Sequence, residues 1–565
     1  MSLADAFKRE LSTRIVGKTI TSCSRWAQKR RVMGHPFPGP YKFNVTPWTK
    51  ELHDSKASWN CTLKSAQGGF TELGINLALY TVDVLKKNVL YVLPTLTDAS
   101  DFSRTRFNPA LSFSPYLKTV FTDSNNVGLK QAGNISLYIR GSRGDSGLKS
   151  IPVSVLILDE LDEMDQSQVE LAFQRLRGQP QKTAWMISTP TVPNHGVHKE
   201  YVKSTMEEFT FKCPGCNKMD IFRWPDSMHI CGDDFNDPDI HKSRIKCTMC
   251  GHIYKQWKDD TGFVRQEEKM MTQLDSGVWV PSAESCDPDR RGFAINQLYS
   301  STVNPGEIVG DFFKGEQNEF AKQEFHKSVL GQPYVGESSQ VTDKNMDTCV
   351  ADYSMKQLMP TVGDNRLITM GIDQGKWNYA VILDWEFTEL STDVNTMAKP
   401  RVLDIVRFYE DEWEIVPDRL MHEYQVRAAM VDADPNVLTA RSFARRFPGY
   451  VWLNRYRAGK VGKEMSITDD GSYAPIAVVD RTNWLDVTLG RFYSGRIQIP
   501  KDTPRAFREH VKNLVRVYDV DQLGNPVASY KNFGHDHFAH ALNYAEMALP
   551  CAAAIATNKN IKAFL

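Results

Sequence analysis

Apolar residues in the first third of the chain come in short runs, each closed by polar or turn-forming residues. Residues 59–63, 89–93, 135–139, 153–158 and 184–188 read as strands, and the stretches between them carry helical periodicity. Such alternation builds an α/β domain on a parallel sheet. From 206 to 262 the period is lost and Cys, Gly and Asp accumulate, which reads as an insertion. Residues 336–364 are polar and contain Gly, Ser, Pro and Asp, the composition of a linker. A second alternation follows. Strands are expected at 367–372, 380–385 and 402–408, a helix at 411–426, a strand at 428–431, a helix at 437–446 and a strand at 450–453.

Length and composition add bounds. At 565 residues the chain is long enough for more than one domain, and 41% hydrophobic with 24% charged residues describes a globular protein with ample core. The formal net charge is zero, so any polyanion must be met by local patches. No apolar run approaches the ~20 residues that cross a bilayer. The N-terminus is amphipathic and lacks a secretory apolar core, so no membrane partner is expected.

The first run of candidate chemistry is "KSAQGGFT", Lys64 to Thr71, between a strand and a helix. A phosphate-binding loop works through successive backbone N–H groups, a helix N-terminus, a lysine and a Mg²⁺-holding Ser/Thr. Here Phe70 occupies the usual lysine position, which leaves Lys64 as the substitute cation. Lys64, Ser65, Gln67, Gly68, Gly69 and Thr71 are the candidate phosphate and Mg²⁺ contacts. The run "VSVLILDELDE" ends a strand in Asp159 and Glu160, a Walker B arrangement in which the Asp orders the metal shell and the Glu orients water. Ser188-Thr189-Pro190 ends a later strand, where motors sense the γ-phosphate. Tyr41 and Trp48 are candidate adenine-stacking groups, or else core aromatics.

Cys213-Pro-Gly-Cys216 and Cys247-Thr-Met-Cys250 form two knuckles 30 residues apart. Four thiolates complete a tetrahedral zinc site with no open position, which is structural rather than catalytic. Two such pairs among ten cysteines favour metal over disulfides and a reducing compartment.

The second alternation resembles a ribonuclease H-like domain in its order of elements. Asp373 ends its first strand and Asp432 its fourth, with Asp434 two residues on. Asp536 lies one turn before His540 on a C-terminal helix, with His535 and His537 beside it. Converging carboxylates of this kind hold the two metals of a phosphodiester-cleaving site. Basic residues Arg441, Arg445, Arg446, Arg455, Arg457, Lys460 and Lys463, and a second set of Arg505, Arg508, Lys512 and Arg516, suit phosphate contact.

Taken together, "SRWAQKRRV", "KSAQGGFTE", "LYVLPT", "LKSIPVSVLILDELDE", "STPT", "FKCPGC", "FHKSVLGQPY", "GIDQG", "GRIQIP" and "DHFAHALNYA" resemble, in this order, the GpA-type large terminase subunits of lambda-like tailed phages. The resemblance implies an N-terminal P-loop ATPase (1–205 and 263–335) carrying a zinc-ribbon insertion (206–262). A linker (336–364) would lead to a ribonuclease H-like nuclease domain (365–565). It implies an ATP-driven translocase that packages double-stranded DNA into a procapsid and cuts concatemers. Cofactors would be ATP, Mg²⁺ (or Mn²⁺ at the nuclease) and Zn²⁺. Partners would be DNA, a small terminase subunit, the capsid portal and further copies in a ring, in the host cell cytoplasm. Asp373, Asp432, Asp536 and, in place of the usual last Asp, His540 would hold the nuclease metals. Arg140 and Arg143 are candidates for the arginine that completes a neighbour's ATP site. The rival readings are a ribonuclease H-like transposase or resolvase nuclease, and a DNA-binding packaging scaffold with impaired ATPase.

Overall fold

The computed structural model describes residues 22–564 apart from 122–125, 144–147, 149–150, 259–263, 267–272, 285, 337–338, 362–365, 387–397, 458–463, 469–470, 472–473 and 521–524. The amphipathic N-terminus, Lys460 and Lys463 lie outside the described residues. The chain divides after Tyr334 into two compact units.

Unit 1 is built on a ten-stranded sheet. Its strands are β1 (Trp59–Lys64), β2 (Val89–Leu93), β3 (Leu129–Ala132), β4 (Ile135–Gly141), β5 (Val155–Asp159), β6 (Thr183–Ser188), β7 (Glu207–Lys212), β8 (Met219–Asp220), β9 (Val278–Pro281) and β10 (Arg290–Ile295). They lie in the order β8-β7-β10-β1-β6-β5-β2-β4-β3, with β9 paired to β7. The run from β7 to β4 is parallel, and β3, β8 and β9 join antiparallel. The five expected strands are all present, within one or two residues at most ends. They read as unbroken apolar runs because both faces of the sheet are covered. Along β2, Val89, Tyr91 and Leu93 enter one core while Leu90 and Val92 enter the other. The expected insertion is not set apart from the sheet: β7 and β8 fall inside 206–262, and β9 and β10 return to the sheet afterwards. Two helices matter below, α1 (Phe70–Tyr80) and the short α2 (Gly196–Tyr201).

Unit 2 opens with α3 (Asp343–Cys349), which begins at a Thr342/Asn345 capping box and buries Met346 and Cys349. The stretch expected to be a linker is therefore partly folded. Its polar composition reflects the helix's exposed face. A seven-stranded sheet follows: β11 (Leu367–Asp373), β12 (Trp377–Glu386), β13 (Lys399–Tyr409), β14 (Ala428–Asp432), β15 (Val451–Tyr456), β16 (Ser466–Thr468) and β17 (Ile476–Val479). The order is β13-β12-β11-β14-β15-β17-β16. β11, β12 and β13 are antiparallel, and β11, β14, β15 and β17 are parallel. The expected helix over 411–426 is shorter: a 3-10 turn at Glu410–Glu412 precedes an α-helix that starts only at Val416, with Pro417 in its first turn. The other helices of interest are α4 (Val437–Arg446), α5 (Arg481–Tyr493), α6 (Arg505–Lys512) and α7 (His537–Met547). α7 lies directly on β11. A Cβ at Gly371 would strike the backbone of Ala541 and Ala545, so only glycine allows this approach.

Candidate active sites

The loop after β1 is held from several sides. The Ser65 amide donates to the Ile295 carbonyl and the Ala66 amide to that of Ser328, at 3.3 and 2.7 Å. The Trp48 indole donates to the Gly68 carbonyl at 2.9 Å. Ser65 is buried and its amide is spent, so the part of the loop that can face a phosphate runs from Gln67 to Thr71. Gly69 caps α1 with φ +82°, and a side chain there would collide with Thr46. The N–H groups of the first turn of α1 point out of its N-terminus, where they and the helix dipole favour an anion.

Phe70 does not face that anion position. Its side chain is buried in the core with Leu73 and Ile75 of the same helix, and its ring lies against Gly68. The cation comes from Lys64, at the end of β1. Its buried ammonium donates to Glu160 Oε1 at 2.7 Å and to Asp159 Oδ1 at 3.2 Å. Burial works against its charge, but the two carboxylates outweigh that and hold its pKa above the ordinary lysine value. Asp159 Oδ2 accepts a hydrogen bond from the Tyr91 hydroxyl at 2.7 Å. β6 lies between β1 and β5, so the loop and the acids sit at the same edge, one strand apart. Glu160 takes a left-handed backbone conformation, φ +62°, as the chain leaves β5.

Asp162 ties this turn to the one after β6. Its carboxylate accepts from the Thr191 amide and hydroxyl and from the Val197 amide at the start of α2, at 2.7–2.9 Å. The Thr191 carbonyl accepts in turn from the Tyr334 amide.

Two expected contacts are corrected by burial. Tyr41 and Trp48 are not available for stacking on adenine: Tyr41 packs edge-on against Phe43, and Trp48 braces the loop from behind. Arg140 is tied to the Gly128 and Ile139 carbonyls, whereas Arg143 is exposed. Arg143 lines a cleft of about 540 Å³ together with Thr95, Asp98, Arg106, Glu160 and Glu163 of its own chain.

The four thiols of Cys213, Cys216, Cys247 and Cys250 lie within 4.8 Å of one another. Cys213 Sγ and Cys250 Sγ are 3.9 Å apart, close to the roughly 3.8 Å that a tetrahedron of Zn–S bonds requires. The Gly215 amide donates to Cys213 Sγ and the Met249 amide to Cys247 Sγ, which favours thiolates.

In unit 2, Asp373 and Asp432 end the adjacent parallel strands β11 and β14. Burial, and then the charge of Asp373, pushes the Asp432 carboxyl up to about 6. Asp373 Oδ2 lies 2.9 Å from His537 Nδ1, and Asp432 Oδ2 accepts from the Tyr544 hydroxyl at 3.2 Å. The expected set of four ligands is not gathered. Asp536, just before α7, turns to His540 Nε2 at 3.3 Å and Arg481 Nη2 at 3.9 Å. His540 is also held by the Tyr456 hydroxyl at Nδ1. Both its ring nitrogens are engaged, Nδ1 by Tyr456 and Nε2 by Asp536 and Arg481. The histidine beside Asp373 is His537. Among the described residues, the thiol quartet is the one group of three or more side chains close enough to share an ion.

Residues 35–279 match the family model described as phage terminase large subunit gpA, ATPase domain. That stretch belongs to this family. The chain is also similar to the terminase large subunit of Escherichia phage lambda, 21% identical over 331 residues, which are 55% of this chain and 51% of the relative. The chain thus spans about half the length of that curated relative. Among solved structures, the HK97 bacteriophage large terminase is similar over 94% of this chain and 99% of its own, at 11% identity and a TM-score of 0.44. The large terminase nuclease of thermophilic phage G20c is similar over 37% of this chain and 97% of its own, at 14% identity and a TM-score of 0.23.

Within the terminase ATPase stretch, sequence reasoning missed Tyr91 and Asp162. Tyr91 is a lone hydroxyl in an apolar strand. Asp162 carried a usable signal, an acid three residues beyond Asp159 that neither metal nor water requires. In unit 2 it missed Arg481 and Tyr544, whose partners are distant in sequence. The basic sets also change meaning. Arg505, Arg508, Lys512 and Arg516 pair with Glu509, Asp347, Asp343 and Asp486, and Arg446 and Arg455 pair with Asp418 and Asp434.

Proposed function

We propose that this chain is a subunit of a viral DNA-packaging motor that hydrolyses ATP in unit 1 and cuts DNA in unit 2. The observation that carries the reading is the Lys64 ammonium, held against Asp159 and Glu160 beside a helix N-terminus. ATP phosphates would lie on the amides of Gln67 to Thr71, and Lys64 would exchange both carboxylates for phosphate oxygen. Thr71 and Asp159 would hold Mg²⁺, which supplies charge neutralisation to the transferred phosphoryl group. Glu160, freed from Lys64, would accept a hydrogen bond from the attacking water. Asp162 would pass the state of this turn to Thr191 and Tyr334.

In unit 2, Asp373 and Asp432 suit a divalent cation, Mg²⁺ or Mn²⁺, and Asp536 would join them by leaving Arg481. Such ions stabilise the attacking and leaving oxygens of a phosphodiester. The four thiols fit one structural zinc. Double-stranded DNA, a small terminase subunit, the portal and further copies in a ring are the proposed partners, in the host cytoplasm.

The test uses the purified chain. DNA-stimulated ATP hydrolysis and metal-dependent plasmid cleavage are expected, with cleavage abolished in Asp373→Ala. An inert protein, or cleavage that survives that substitution, removes the reading.

A further inference from the structure

Strand register in unit 2 lines up Asp373 with side chains that the roles above leave unused. Asp373 of β11 lies opposite Tyr379 of β12, and Tyr379 opposite Arg407 of β13. Directly opposed residues share a face, so the three stand in line across three strands. Two residues along β12, on the same face, Trp377 lies opposite Tyr409.

These side chains touch in sequence. His537, hydrogen-bonded to Asp373, stacks on Tyr379 with centroids 4.7 Å apart and planes 9° apart. The Arg407 guanidinium lies 5.8 Å from the Tyr379 centroid and 3.9 Å from that of Trp377. Trp377 meets Tyr409 edge-on at 5.0 Å, and the Lys376 ammonium is 5.9 Å from the Tyr409 ring. The row leads from the acidic centre to an exposed cationic and aromatic edge, two strand spacings or about 10 Å away.

Lys376 and Arg407 are exposed, and neither pairs with a carboxylate among the described residues. They differ in this from Arg446, Arg455, Arg505, Arg508, Lys512 and Arg516, each committed to an acid. Trp377 is 42% exposed, uncommon for so large an apolar group. A guanidinium laid on an indole keeps its plane, and its N–H groups project outward from the ring edge. That pre-organisation reduces the freedom lost when it meets a planar, two-oxygen anion. The turn after β13 is acidic, Glu410 to Glu412, so the cationic strip ends there.

We propose that Arg407, positioned by Trp377, and Lys376 bind the phosphodiester backbone of the DNA strand whose scissile phosphate reaches Asp373. The proposal rests on the nuclease reading of unit 2.

Binding is measured with full-length Asp373→Asn protein and a DNA duplex, from about 50 to about 200 mM salt. Arg407→Ala is expected to weaken binding about tenfold and to lower the magnitude of the log–log salt slope by about 0.9. Arg407→Gln keeps the aliphatic stem and gives the same answer if the alanine variant does not fold. Trp377→Ala is expected to weaken binding while leaving the slope, and Trp377→Phe to restore it. In the cleaving chain, Arg407→Gln is expected to raise KM with kcat changed less than about twofold. An unchanged slope and an unchanged KM in a chain that cuts DNA overturn the proposal alone. A wild-type chain that does not cut overturns the nuclease reading, and the slope still judges the phosphate contact.

Discussion

The Lys64 ammonium sits 2.7 Å from Glu160 Oε1 and 3.2 Å from Asp159 Oδ1, so a cation from the first strand of the sheet is shared by both acids at the end of β5. Removing it leaves a buried Asp159 without a counter-charge. Lys64→Ala is expected to lower ATP turnover at least about a hundredfold and to cost on the order of 3 kcal/mol of unit 1 stability. Lys64→Arg is not expected to rescue, because a planar fork cannot replace a compact ammonium in so enclosed a place. Phosphate release and thermal unfolding measure both effects. Turnover near wild type in the alanine variant would show that another cation serves the phosphates.

Position 70 offers a converse experiment. A lysine there would restore the usual loop sequence, but its side chain would inherit the buried position of Phe70 beside Leu73 and Ile75. Phe70→Lys is expected to cost at least about 3 kcal/mol and to bring no gain in turnover. Phe70→Leu is expected to cost about 1 to 2 kcal/mol and to keep activity. A faster, stable lysine variant would mean that position 70 reaches the phosphates.

Strand positions were legible because parallel strands covered on both faces read as unbroken apolar runs, as 89–93 and 155–158 do. The ends of those strands, and hence Asp159, Asp373 and Asp432, followed directly. What stayed hidden is pairing between distant residues. Nothing near Tyr91 announces Asp159, and nothing near Arg481 announces Asp536. Aromatic residues were misread for the same reason. Tyr41 and Trp48 look like surface stackers until Phe43 and the Gly68 carbonyl are seen against them, whereas Trp377, in an ordinary strand pattern, is exposed.

The cysteine quartet makes a stoichiometric prediction. One zinc per chain is expected by elemental analysis, and a colorimetric chelator is expected to take it up faster once the thiols are modified. Cys213→Ser, at a buried position, is expected to abolish binding and to lower the unfolding midpoint of unit 1. A metal-free protein of unchanged midpoint after chelation would assign the thiols no structural ion.

The two arginines before β5 should separate. Arg140 holds the Gly128 and Ile139 carbonyls, so Arg140→Ala is expected to cost about 1 to 2 kcal/mol of stability with little direct effect on turnover. Arg143 shares a cleft with Glu160 of its own chain. Arg143→Ala is expected to lower turnover about tenfold or more while nucleotide binding persists. Mixing inactive Glu160→Gln subunits with Arg143→Ala subunits then distinguishes the two sources. Recovered activity would place Arg143 in a neighbour's site, whereas none is expected if it serves its own.

Two buried groups of unit 1 give opposite pH dependences. His53 donates from Nδ1 to the Thr49 carbonyl, accepts at Nε2 from Asn76, and is lowered by burial from 6.5 to about 4. The unfolded chain therefore binds more protons over that window, and stability falls as pH drops from 6.5 towards 4. Asp162 is raised by burial from 3.8 to about 6, against the hydrogen bonds it accepts from Val197 and Thr191. Here the folded chain binds more protons, so this contribution is full below 3.8 and is lost as pH rises through 6. Each amounts to on the order of 3 kcal/mol at its limit, and the two offset in the wild type. Asp162→Asn is expected to steepen acid destabilisation between pH 6.5 and 4, and His53→Gln to reverse its sign over the same window. Calorimetric midpoints of unit 1 at several pH values decide this. Parallel midpoint curves for the wild type and both variants would show that neither group titrates with folding.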